Sequence, residues 1–205
     1  HTGMYGLQES IDTLADIIDQ DINYYVRMNF TSFMDIVDAL GGITVNSSEA
    51  FTTKIGGYHI QEGENHLNAK QALAFVRERK SFIDGDFARG RNQQRMISAI
   101  VKKVCSPAIL TSFSDVLDTV SQSIETNMLS DEMNALVSMQ LSDMPDWDIQ
   151  SYQITGDSAS MPCYSLGMNA SVIIPHELSI QQASDYIDQL MANEKIETEL
   201  GDLQQ

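Results

Sequence analysis

The segment ALAFVRERKSFIDGDFARGRNQQRMISAIVKKV, residues 72–104, carries five of the six arginines of this 205-residue chain. The spacing of its apolar residues predicts two helices, over about 69–77 and 89–104, joined by a loop over residues 80–87. Asn68 is a typical capping residue for the first helix. We therefore expect the arginines to gather where one helix ends and the next begins.

The charge of this segment is opposite to that of the whole chain. The chain has a formal net charge of -17, whereas nine basic residues stand against three acidic ones between residues 70 and 103. A focused positive site inside a negative field favours an anionic ligand held at one place, not a broad polyanion surface. An acidic chain without a helix-turn-helix signal also argues against nucleic-acid binding and against a DNA-binding regulator.

Four side chains of the segment have the chemistry of a phosphate site. Arg77 and Arg79 follow the end of the first predicted helix, where cations also face the helix dipole favourably, so alone they indicate only a solvated helix end. Arg89 and Gln93 are four residues apart on one helix face, close to a helix N-terminus with unpaired N–H groups. Several arginine forks can surround a diphosphate, which makes an anion site the favoured interpretation.

Three acidic residues, Glu78, Asp84 and Asp86, lie among these arginines. They are either intramolecular partners of the arginines or part of the site itself. Asp84 and Asp86 flank a glycine, and such carboxylates can bind Mg²⁺ or act as a general base, although turn aspartates usually only form turns. Five arginines against three acids leave positive charge over, so both interpretations stay open.

The remaining sequence gives general limits. The chain is long enough for one sizeable core, and no apolar run approaches the roughly 20 residues needed to span a bilayer. Cys105 and Cys163 are either one disulfide of an exported protein or two buried thiols. No nucleotide-binding glycine loop, nucleophile elbow or zinc motif is present in the sequence.

Helices and strands alternate along the rest of the chain, which favours an α/β layered fold in one domain over residues 1–205. The predicted helices outside the segment cover residues 6–18, 31–40, 112–126, 130–140 and 179–192. The predicted strands cover residues 22–26, 43–45, 147–154 and 171–174, with a hairpin or extended excursion over residues 46–66.

The segment 72–104 closely resembles the signature of the LytR-CpsA-Psr (LCP) family. The signature has an R-x-R after a helix, then an Asp-containing loop, then an arginine- and glutamine-rich start of a long helix. YYVRMNFTSFMDIVDALGGITV (24–45) and HIQEGENHLNAKQAL (59–73) resemble the family's preceding segments. The resemblance covers about residues 1–104, and more loosely the element order through 174–192. It implies a layered α-β-α domain with a central mixed sheet flanked by helices.

The resemblance also implies a function. LCP proteins are extracytoplasmic phosphotransferases tethered to the cell membrane by an N-terminal helix. They transfer a glycopolymer phosphate, such as teichoic acid or capsular polysaccharide, from a polyprenyl-pyrophosphate carrier to peptidoglycan, and Mg²⁺ assists. The lipid tail lies in an apolar channel of the domain. The alternative for this chain is a non-catalytic module that binds polyprenyl phosphate or an anionic polymer and regulates envelope assembly.

The family's functional positions map onto residues already singled out. Arg77, Arg79, Arg89 and Gln93 match the pyrophosphate-binding positions, Arg91 supports them, and Asp86 is the candidate base or orienting carboxylate; Asp84 and Asn92 match less closely. Of these, the expected catalytic residues are Arg77, Arg79, Asp86 and Arg89. Family members carry a metal-binding aspartate and a further arginine on strands upstream of this chain's first residue. We therefore expect the main Mg²⁺ ligand there, with Asp84 and Asp86 as the candidates in this chain.

Overall fold

The computed structural model describes residues 4–106, 122–145, 147–194 and 196. Residues 24–151 form one compact unit, and the described residues of 1–23 and 152–200 form the other. The single domain over residues 1–205 stays a prediction. None of the described helices is both long and apolar enough to cross a membrane.

The described helices agree closely with the sequence expectation. They are α1 Met4–Ile18, α2 Phe30–Ala39, α3 Ala69–Arg77, α4 Asp86–Val104, α5 Ser130–Asp143 and α6 Glu177–Met191. The predicted bounds of α3 are confirmed, whereas α4 begins three residues earlier than predicted. Of the helix predicted over 112–126, residues 112–121 lie outside the described part of the chain, and residues 125 and 126 form a strand instead.

The strands confirm the α/β class but pair differently from the prediction. They are β1 Val26–Arg27, β2 Ile43–Ser47, β3 Phe51–Thr52, β4 His59–Ile60, β5 Gly63–Leu67, β6 Glu125–Thr126, β7 Gly156–Cys163 and β8 Met168–Pro175. In place of one central mixed sheet, the described strands form four two-stranded antiparallel sheets, β1–β6, β2–β5, β3–β4 and β7–β8. The partners in the β3–β4 and β7–β8 pairs are joined by short chain segments, and such connections produce antiparallel pairs.

Two predicted strands need correction. Residues 147–154 form no strand, because the ladder begins only at Gly156. The indole Nε1 of Trp147 instead donates a hydrogen bond to Oε1 of Gln140, at 2.7 Å, which fixes the start of this segment against α5. Of the strand predicted over 22–26, the ladder with β6 includes only Val26 and continues to Arg27.

The core of the unit 24–151 fixes the helices that carry the arginines. α2 packs against α3, α3 against α4, and α4 against β2. Their apolar stripes and the inward face of β2 meet in one cluster, whose members include Ile36, Val37, Leu40, Ile43, Val45, Ala72, Phe75 and Met96. Since these side chains are almost completely buried, the ends of α3 and α4 are held in place by the most strongly packed part of the unit.

Side-chain caps define where the helices of this core begin. Asn68 Oδ1 accepts from the backbone N–H of Gln71 at 3.1 Å, and Gln71 Oε1 accepts from the N–H of Asn68 at 3.0 Å. This reciprocal capping box confirms the predicted role of Asn68. Asn29 caps α2 through a single bond, with Oδ1 accepting from the N–H of Ser32 at 2.9 Å.

The other unit contains α1, α6 and the β7–β8 hairpin. The hairpin pairs eight residues of each strand, from Gly156 opposite Pro175 to Cys163 opposite Met168. Gln20, just after α1, donates through Nε2 to Oδ1 of Asp188 on α6, at 2.8 Å. The two cysteines are both free thiols and form no disulfide. Cys163 lies at the end of this hairpin, and Cys105 lies in the unit 24–151.

Candidate functional site

The end of α3 and the first turns of α4 adjoin each other. Gln93 on α4 donates through Nε2 to the backbone oxygen of Val76, in the last turn of α3, at 3.3 Å. The last four carbonyls of a helix have no partner inside the helix, so this bond satisfies one of them. The two helix ends that the sequence predicts to converge are therefore linked directly by a predicted site residue.

A glycine sets the direction in which α4 begins. Gly85 is its capping residue, with φ 44° and ψ -93°, a conformation that residues with a side chain rarely adopt. A Cβ at this position would lie 3.6 Å from Cγ of Arg79, so the backbone conformation, not lack of space, requires glycine. This turn places Asp86 in the first turn of α4, where the helix dipole favours a carboxylate.

The carboxylate of Asp86 bridges two arginines from opposite sides of the loop. Its Oδ1 lies 2.7 Å from Nη2 of Arg89, and its Oδ2 lies 3.4 Å from Nη1 of Arg79. All three side chains remain 40–51% exposed, and ion pairs this exposed contribute about 0–1 kcal/mol. Asp86 therefore draws two guanidinium groups together through contacts that a phosphate group could replace.

Further along α4, Arg91 and Arg95 contact other partners. Arg91 Nη2 donates to Oδ2 of Asp84 at 2.6 Å, so it ties α4 to the preceding loop. Arg95 donates to Oδ1 of Asn92 at 3.1 Å, and burial together with the nearby Arg91 charge lowers the pKa of Arg95. Asn92 is only 2% exposed, which places it in the interior and not on the open side of the cluster.

Arg77 is held differently from the other arginines of the cluster. Its guanidinium carbon lies 4.3 Å from the centroid of the Phe30 ring, at the start of α2. Among the described residues it forms no ion pair with a carboxylate, whereas Arg79, Arg89 and Arg91 each form one. The cluster thus contains one exposed guanidinium without an internal counter-charge.

Glu78 supports the site in a way that the sequence does not predict, through hydrogen bonds with backbone N–H groups. It is 4% exposed, and its carboxylate accepts backbone N–H groups of Lys54 at 2.6 Å and of Arg79 and Ser81 at 3.0 Å. Burial works to raise the pKa of Glu78, but the backbone hydrogen bonds prevail and lower it below its ordinary value of 4.5. The ionised carboxylate therefore fixes the backbone between Arg77 and Arg79 instead of neutralising them.

The described residues do not fit a Mg²⁺ site on their own. Asp84 and Asp86, the candidate ligands in this chain, both face arginines at ion-pair distance. Nowhere in the described ranges do three or more His, Cys, Asp or Glu side chains gather closely enough to hold a metal ion. Two carboxylates engaged by guanidinium groups leave too few oxygen ligands for this cation.

With an arginine cluster at adjoining helix ends established, comparison with known proteins defines the class of protein. The chain matches the LytR_cpsA_psr family over residues 2–188 and therefore belongs to that family, as the sequence resemblance predicts. It is 39% identical over 146 residues to the polyisoprenyl-teichoic acid–peptidoglycan teichoic acid transferase TagU of Bacillus subtilis strain 168, an alignment covering 71% of this chain and 43% of TagU. The chain thus spans less than half the length of that relative.

Solved structures agree with this assignment. The crystal structure of B. subtilis TagU is similar with a TM-score of 0.64 and 31% identity, covering 95% of this chain and 75% of that one. The crystal structure of B. subtilis TagV is similar with a TM-score of 0.71 over 92% of this chain and 71% of that one, and its 24% identity bears on the fold alone.

Proposed function

We propose that this protein transfers a glycopolymer phosphate from a polyprenyl-pyrophosphate carrier to peptidoglycan during cell-wall assembly. The observation that supports this most strongly is that Arg79 and Arg89 share one carboxylate where α3 and α4 adjoin, with Arg77 in the last turn of α3. In such a carrier a diphosphate joins the glycopolymer to the lipid. Several guanidinium groups, approaching from different directions, can pair with its oxygens. TagU is named a teichoic acid transferase, which makes a teichoic acid the proposed polymer and a capsular polysaccharide the alternative.

The chemistry follows from where charge develops. A hydroxyl of the peptidoglycan sugar attacks the phosphorus that carries the glycopolymer, and the bond from that phosphorus to the bridging oxygen breaks. The lipid phosphate leaves with the electron pair of the broken bond, and Arg77, Arg79 and Arg89 stabilise its charge and that of the transition state. Positioned guanidinium groups thereby supply both binding and catalysis.

Asp86 has two successive roles in this proposal. Before substrate binds, its carboxylate holds Arg79 and Arg89 together across the loop. When phosphate oxygens take over these guanidinium groups, the carboxylate becomes available to orient the attacking hydroxyl and accept its proton. The proton of the acceptor hydroxyl is thereby transferred to the Asp86 carboxylate, beside the reacting phosphorus.

Cofactor and location are proposed from the family. We propose that Mg²⁺ assists the whole enzyme, with ligands outside the described residues. The reaction takes place on the extracytoplasmic face of the cell membrane, where lipid-linked polymer and peptidoglycan meet, with an N-terminal helix as the membrane anchor.

A transfer assay with the full-length natural protein tests the proposal. Labelled polyprenyl-pyrophosphate-linked teichoic acid should become attached to peptidoglycan, and Arg77→Ala or Arg89→Ala should lower the rate about 100- to 1000-fold, the usual cost of one preorganised donor. Lys70→Ala, at an exposed position of α3, is the matched control and should retain the wild-type rate.

Three results of the assay have distinct meanings. Near-wild-type transfer by both arginine variants would contradict the site. Carrier binding without turnover by the wild type would support the non-catalytic binding module instead. The transfer rate measured without Mg²⁺ tests the proposed cation separately, and we expect that rate to fall.

A further inference from the structure

We propose that Phe30 is a positioning residue for Arg77: its ring holds the guanidinium group over the start of α2 so that the group's N–H edges face the diphosphate. The inference rests on the proposed function. The 4.3 Å separation between the Arg77 guanidinium carbon and the Phe30 ring centroid is well within the roughly 6 Å range of a cation–π contact. Stacking occupies the flat face of the guanidinium group, while the five N–H donors around its edge stay accessible.

The ring is not explained by packing in the core. Phe30 is 56% exposed, whereas the apolar residues of α2 that build the core, such as Ile36 and Val37, are less than 10% exposed. It is the first residue of a helix that is capped by Asn29 and anchored through this core. The ring is therefore presented to Arg77 from a rigid element at little cost to the core.

A neutral ring and a carboxylate have different effects on a phosphate-binding arginine. Asp86 orders Arg79 and Arg89, and Asp84 orders Arg91, but these carboxylates compete with phosphate for the same N–H groups. Phe30 restricts the long Arg77 side chain without competing for those donors. Arg77 can thus bind the incoming diphosphate with little loss of rotamer freedom and without releasing a partner.

Titration calorimetry of the full-length natural protein with inorganic pyrophosphate tests the inference. Phe30→Leu, which keeps apolar bulk but removes the ring, should weaken binding about two- to five-fold, as expected for an exposed cation–π contact. Phe30→Trp, with a larger aromatic face, should bind as tightly as the wild type or more tightly. Circular dichroism and thermal unfolding should show that both variants keep the fold, since the position is half exposed.

A double-mutant cycle shows whether Phe30 acts through Arg77. In an Arg77→Ala background, Phe30→Leu should have no further effect on pyrophosphate affinity. An equal loss in both backgrounds would overturn the inference, because the ring would then act independently of Arg77. Wild-type affinity in Phe30→Leu would also overturn it.

The proposed function and the inference fail in different ways. If the wild-type chain does not bind pyrophosphate, the diphosphate site itself is refuted and the inference falls with it. If wild type binds and Arg77→Ala binds more weakly, while Phe30→Leu matches wild type, only the role of Phe30 is refuted. Should Phe30→Leu fail to fold, weaker binding by Phe30→Trp would overturn the inference by itself.

Discussion

At the scale of single residues, the cluster contains guanidinium groups that we propose to bind phosphate and a buried carboxylate that holds the backbone between them. Arg77 and Arg79 are exposed and Arg89 is partly exposed, while Glu78, between Arg77 and Arg79 in the chain, is buried and interacts with backbone N–H groups. Its place in the chain, three residues after the buried Phe75, continues the inward stripe of α3. That stripe is the sequence signal for its burial, although its partner at Lys54 is set by tertiary contact.

Glu78→Gln should destabilise the protein by about 1–3 kcal/mol at neutral pH, because the amide cannot accept every hydrogen bond that the carboxylate accepts. The folded pKa of Glu78 lies below 4.5, so its contribution to stability is present above pH 4.5 and is lost as the pH falls through the folded pKa. Urea unfolding at pH 7 and at acidic pH measures this difference. The exposed Glu62→Gln is the control, and a pH-independent loss in Glu78→Gln would contradict an ionised buried carboxylate.

At the scale of elements, local signals were sufficient for helices and insufficient for the sheet pairing. The capping box at Asn68 and the apolar stripe of α3 lie within one stretch of chain, so its bounds follow from sequence. The start of α4 was predicted three residues late because Asp84-Gly85-Asp86 has the composition of a turn, whereas Gly85 acts as the helix cap. The β1–β6 pair joins Val26 to Thr126, and no local pattern specifies a contact over that distance.

The site shows the same division between local and tertiary signals. The arginines and Gln93 were found from charge and helical spacing, both of which can be read along the chain. The roles of Phe30 and Glu78 depend on contacts with Arg77 and Lys54, which are distant in sequence. Tertiary structure was therefore needed to identify what positions the arginines.

Gly85→Ala should destabilise the protein by about 1–3 kcal/mol, because alanine is strained at φ 44°. It should also weaken pyrophosphate binding, since the same turn sets Asp86 and Arg89 at the start of α4. Gly41→Ala is the matched control, with φ 69° and open space around an added Cβ. Thermal unfolding and calorimetry should show that both variants are destabilised but only Gly85→Ala binds more weakly; unchanged binding in Gly85→Ala would count against the helix-start geometry.

At the scale of the whole molecule, the arginine cluster is a small positive region in a chain of net charge -17. Such a distribution favours binding at one compact anionic group, which matches the diphosphate of the proposed lipid-linked glycopolymer. The chain belongs to the LytR_cpsA_psr family and corresponds to 43% of the length of B. subtilis TagU, which is named a teichoic acid transferase. Charge, family and site geometry thus support the same ligand class.

The most direct test of this account is a crystal structure of the protein with farnesyl pyrophosphate, a short analogue of the carrier. We predict that both phosphate groups lie between the end of α3 and the start of α4, with oxygens about 3 Å from the guanidinium nitrogens of Arg77, Arg79 and Arg89. Arg77 should still stack on Phe30. A diphosphate bound elsewhere, with Asp86 still paired to Arg79 and Arg89, would contradict the account.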